Sequence, residues 1–170
     1  MQDRGQLDEA LKIRTEEQLP VYERLGDVHA RAVTMGKIAD ILQARGQLDE
    51  ALKIWQEEVL PAMERLGDVR SRAVTMAWIA DILRARGDLD GAVRVLREEA
   101  LPVYERLGDA QELIRGRSQL AGILLQRGGE GDRGEAGRLL RLALDEAHRL
   151  KLPMAPWIEQ TLAQAGLSGN

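Results

Sequence analysis

Chemistry needs particular side chains at particular spacings, and few candidate sets occur in this sequence. In GGEGDRGE, Gly129 and Gly134 bracket four residues, as the glycines of a phosphate-binding loop do. Such a loop continues with Lys and then Ser or Thr, and it follows a strand. Here Glu135 comes next and a helical pattern precedes, so the stretch reads as an inserted turn. His29 and His148 stand far apart in a chain with no cysteine, which excludes the usual metal-ligand spacings. Ser71, Ser118 and Ser168 have no histidine beside them to activate a nucleophile. Carboxylates abound, but none sits alone in an apolar run that would raise its pKa. These residues point to no catalytic group, no metal, no cofactor and no enzyme. What remains is surface, and surface is set by the elements that carry it.

Those elements repeat. The stretch LPxxERLGD occurs at Leu19–Asp27, Leu60–Asp68 and Leu101–Asp109, each copy 41 residues after the last. Glycines preceded by arginine, at Gly5, Gly46, Gly87 and Gly128, keep the same step. A fixed period of this size marks one structural unit stacked on copies of itself. Blocks 6–46 and 47–87 agree at 31 of 41 positions. The third, from Asp88, drifts in its second half, and three extra residues follow Gly128.

Within block 47–87, Leu48, Ala51, Leu52, Trp55, Val59, Met63 and Leu66 form one stripe on a 3.6-residue helix. Gly67 ends it, and Asp68 is placed to cap the next helix. That helix carries Ala73, Met76, Ile79, Ala80 and Leu83 on one face and ends at Gly87. Each block is therefore a helical hairpin. Eight helices are expected, near 6–25, 30–45, 47–66, 71–86, 88–107, 111–127, 133–150 and 154–166, in antiparallel neighbouring pairs. Pro20, Pro61 and Pro102 fall inside long helices, where each removes a backbone bond. Because the apolar stripe keeps its phase across Pro61, the helix is expected to kink there and continue.

The totals agree with this class. Hydrophobic residues make up 44% of 170, charged residues 31%, and Phe is absent, so Leu, Ile, Val and Ala carry the packing. A net charge of -4 argues against a nucleic-acid partner, whose phosphates call for surplus Lys and Arg. No window approaches the ~18 apolar residues of a membrane span, and the N-terminus has no apolar leader. With no cysteine, the expected location is the cytoplasm.

The run Ile38-Ala39, Leu42, Gly46-Gln47-Leu48-Asp49-Glu50-Ala51 and Trp55 resembles a tetratricopeptide repeat. The period of 41, against ~34 for the family at large, is similar to the long-repeat branch found in kinesin light chains and in sensor arms of bacterial signalling ATPases. The resemblance implies an all-α, right-handed TPR-like α-solenoid. A single array over 1–166 (6–46, 47–87, 88–128, 129–166) would precede a loose tail at 167–170. It implies close helix contacts at Ala39, Ala80 and Gly122, and at Ala10, Ala51, Ala92 and Ala136. It also implies a scaffold for protein interaction, whose concave face takes its residues from the first helix of each hairpin. Those peptide-binding candidates are Val33, Lys37, Asp40, Gln43, Val74, Trp78, Asp81, Arg84 and Arg115. The family's carboxylate clamp is absent, because Gly36 with Asp40, and Ala77 with Asp81, stand where Lys and Asn are needed. Asp40 and Asp81 beside Val33, Val74 and Trp78 imply a partner segment carrying Lys or Arg with apolar anchors.

The N-terminal block raises a second expectation. Residues 1–5 read as the tail of a helix whose body is missing, which bares one flank of helix 6–25. Arg14 stands there where later blocks have Trp55 and Leu96, yet many apolar side chains remain. A homodimer through this flank, with Ile13 and Tyr22 in the self-association surface, is the expected alternative. So is the excised arm of a larger bacterial signalling protein.

Overall fold

The computed structural model describes residues 2–167. Eight helices and no strand occur among the described residues. They are α1 (2–25), α2 (Val28–Ala44), α3 (48–66), α4 (Val69–Ala85), α5 (89–107), α6 (Ala110–Arg127), α7 (Asp132–Arg149) and α8 (Ala155–Gln164). The chain divides into two compact units, Met1–Arg86 and Gly87–Asn170, a cut that falls on a repeat boundary. In the first unit α2 packs on α1 and α3, and α4 on α3. In the second, α6 packs on α5 and α7, and α8 on α7. Turns of a few residues between such partners leave only antiparallel packing open to them.

The LGD signature has a double function. Gly26, Gly67 and Gly108 take φ of 65°, 66° and 64°, the left-handed conformation that a helix end favours in glycine. The amide of the following aspartate then bonds back to Tyr22, Met63 or Tyr104, closing the old helix. Its carboxylate meanwhile accepts from the next helix, Asp27 from Ala30 N at 2.9 Å and Asp68 from Ser71 N at 2.9 Å. One residue ends one helix and starts the next.

The prolines act differently from a simple kink. Each long helix is continuous but opens into a π-helical turn before its proline, at Ile13–Gln18, Trp55–Val59 and Leu96–Ala100. In that turn the amide of Leu60 bonds to Trp55 O, five residues back, and Leu19 and Leu101 do likewise with Arg14 and Leu96. A proline ring collides with the carbonyl four residues earlier and offers that carbonyl no donor. Widening the turn relieves both problems without ending the helix. The wider turn also delays the rotation of the helix. Trp55, Val59 and Met63 stay buried, Ala62 joins them, and Leu66 from the expected stripe is 46% exposed.

Gly5 departs from the pattern of its repeats. Gly46, Gly87 and Gly128 all have positive φ beyond a helix end, whereas Gly5 lies inside the helix that begins at Gln2. Residues 2–5 thus lie within α1. A glycine costs about 1 kcal/mol in a helix, too little by itself to break one.

Ala39, Ala51, Ala80 and Ala92 are all 0% exposed, as small residues at the closest helix approaches must be. Ala80→Leu should therefore overpack and lower stability by about 1–3 kcal/mol; urea unfolding indistinguishable from the unmodified protein would reverse the assignment. In the second unit the inserted turn is tightly organised. Asp132, 3% exposed, accepts from Gly129 N at 2.9 Å and from the Arg127 guanidinium at 2.6 Å. Arg127 also reaches Asp90 at 2.8 Å. The guanidinium, chiefly, holds the Asp132 carboxyl at about 2. Leu167 is bonded through its amide to Leu162 O and through its carbonyl to Arg141, so it is not loose. The remainder of the expected tail, 168–170, lies outside the described residues.

Candidate functional site

A cleft lies in the first unit, between α2 and α4, with α3 as its floor. Its volume is about 260 Å³. One side comes from α2, through Val33, Lys37 and Asp40, and the other from α4, through Val74 and Trp78. Five of the nine sequence-derived candidates therefore share one cavity. Side chains three and four apart on a helix lie on one face, which is why each wall arrives as a set.

The floor is aromatic. Trp55 is 5% exposed and stacks on the half-buried Trp78, with ring centroids 6.1 Å apart and planes within 7°. Gly36 makes room for it: a Cβ there would stand 2.9 Å from Trp55 Cη2. Trp78 thus serves both as packing and as cleft lining. Among the described residues the buried Trp55 indole N–H has no hydrogen-bond partner, an unusual state for such a donor.

Charge is distributed unevenly along the cleft. His29 and Arg70 belong to the end formed by the first turns of α2 and α4. Lys37 and Asp40 lie farther along α2. Burial among the walls raises the Asp40 carboxyl above its ordinary value, and the charges of Arg14 and Lys37 pull it partly back. Position along the chain hid this, because the desolvating surfaces come from elements far away in sequence.

Four candidates fall outside the cleft. Gln43, Asp81 and Arg84 sit farther along α2 and α4, and Arg115 belongs to the second unit, 3.8 Å from Glu112. Asp81 is one helical turn beyond Trp78 on α4. The residues that sequence reading missed are His29, Arg70, Thr75 and the floor pair Val59 and Met63. The floor residues read as core, and core they are; only the gap between α2 and α4 makes them also a surface.

A ladder of ion pairs was missed as well. Asp8–Arg45 and Asp49–Arg86 each close at 3.1 Å in the first unit, and Asp90–Arg127 at 2.8 Å in the second. Both members recur every 41 residues, a signal visible in the sequence. Exposed pairs of this kind contribute at most about 1 kcal/mol each. The self-association candidates lie on α1, where Ile13 is 38% exposed and Tyr22 half-buried. Along 13–25 no residue is buried, while the matching stretches of α3 and α5 bury Trp55, Met63, Leu96 and Tyr104.

No helix is long and apolar enough to cross a membrane, and no group of three or more His, Asp or Glu stands ready for a metal, among the described residues. No protein-family model and no curated protein matches this chain. Solved structures do match. A crystal structure of a Podosopora anserina putative kinesin light chain with nearly identical TPR-like repeats superposes on 98% of this chain and 81% of that one, at 22% identity and a TM-score of 0.73. A substituted form of that protein matches over 98% and 80%, at 21% identity and a TM-score of 0.74. Helical hairpins at a 41-residue step, the buried Ala39, Ala51, Ala80, Ala92 and Ala136, and these two superpositions together establish that the chain has the tetratricopeptide-like repeat fold.

Proposed function

We propose that this protein is a non-enzymatic scaffold, a single array of repeats working in the cytoplasm, that holds a segment of another protein in the α2–α4 cleft. The observation that carries this reading is the convergence of Val33, Lys37, Asp40, Val74 and Trp78 on one cavity with an apolar floor. Concave sites of a few hundred Å³ with apolar walls and a few fixed polar groups are where ligands bind. The bound segment carries apolar anchors for the tryptophan floor and a Lys or Arg for Asp40, with Asp81 beyond the cleft adding to the attraction. Exchanging both aspartates for lysine should weaken binding on the order of tenfold and leave the circular dichroism unchanged. Binding by the unmodified protein should also fall as salt rises, since exposed charges are screened beyond about 8 Å at physiological ionic strength. Full affinity in the double variant, or salt-independent binding, would remove the charged part of this reading.

A second reading rests on α1. Its bare flank favours association of two copies through Ile13 and Tyr22, the simplest closed arrangement being two-fold. Light scattering at micromolar concentration should then give twice the chain mass, and Ile13→Glu with Tyr22→Glu should halve it. A monomer mass for the unmodified protein would end this reading.

A further inference from the structure

The cleft has features that select among cations. We infer that it reads an arginine of the bound segment, with the guanidinium seated on Asp40 and laid against the Trp78 indole. This deepens the binding reading given above and rests on it.

Three observations favour a cation at this spot. Among the described residues, Asp40 is the one carboxylate lining the cleft. Arg14 and Lys37 act on it through space, and among the described residues it has no ion pair within 4.0 Å. Beside it in the cleft lies an indole pair, and the exposed part of Trp78 offers an electron-rich aromatic face.

The same features favour arginine over lysine. A guanidinium is planar and can stack on an indole while giving two parallel hydrogen bonds to one carboxylate. It is more weakly hydrated than an ammonium, so it loses less on entering a half-enclosed cleft. Its methylene stem needs an apolar lining, and Val33 and Val74 provide one. With Asp40 the one carboxylate lining the cleft among the described residues, one arginine is expected rather than a basic run.

Selection of short random peptides on the intact protein tests both the cleft and its preference. Val33→Lys, at a position 40% exposed and so tolerant of change, blocks the cleft and serves as the counter-selection. Peptides retained by the unmodified protein and lost with Val33→Lys should be enriched in a single arginine next to apolar residues. Changing that arginine to lysine should weaken binding about fivefold. Asp40→Asn should weaken it about tenfold, with circular dichroism checking the fold. Trp78→Leu should remove most of the arginine-over-lysine preference. Cleft-dependent peptides without arginine enrichment, or with lysine equally frequent, would overturn the arginine inference and leave the cleft as a binding site. If no selected peptide depends on Val33, the binding reading and the inference fall together.

Discussion

Trp55→Ala should destabilise the first unit by about 3–5 kcal/mol, the range for emptying a buried large aromatic position. Trp55 is buried at 5% exposure, stacks on Trp78 and fills the space that Gly36 leaves open. Its removal opens a void against rigid helix backbone, and surrounding side chains close such voids only in part. The indole N–H has no partner among the described residues, so no acceptor there is stranded when the ring is lost. The loss is therefore one of packing. Trp55→Phe, which keeps most of the ring and removes the unpaired donor, should recover more than half of the deficit. Guanidinium unfolding followed by circular dichroism measures both variants. Equal deficits for Ala and Phe would mean that the N–H is bonded and that polarity, not volume, dominates.

Leu124→Ala should cost the second unit about 2–5 kcal/mol, while Leu107→Ala should change stability by less than about 0.5 kcal/mol. Both leucines close to the ends of their helices look alike in sequence. Leu124 is 0% exposed and Leu107 is 47% exposed. The contrast between them separates burial from residue type within one unit. Urea unfolding followed by circular dichroism measures both variants. Similar losses from the two substitutions would mean that the exposed leucine is covered in solution.

How far the sequence reached can be followed through particular residues. The 41-residue step determined the hairpin units of the first three blocks, and the resemblance to the tetratricopeptide repeat pointed to the alanines that are buried at Ala39, Ala51, Ala80 and Ala92. Helix ends were legible to within a few residues, since LGD terminates one helix and caps the next through local backbone chemistry. Pro61 was legible as an interruption but not as a π turn. Whether a proline bends, breaks or widens a helix depends on what holds the two halves in place, and here the burial of Trp55, Val59 and Met63 does so. Val33, Lys37, Asp40, Val74 and Trp78 could be chosen from helical phase, because one face of a helix follows from spacing. Only the tertiary structure decided that these five meet in one cleft while Gln43, Asp81, Arg84 and Arg115 do not. It alone decided, too, that the cleft walls raise the Asp40 carboxyl and that Trp55 stacks on Trp78. Those facts depend on distances between α2, α3 and α4, and no periodicity within a single helix encodes the gap between two others.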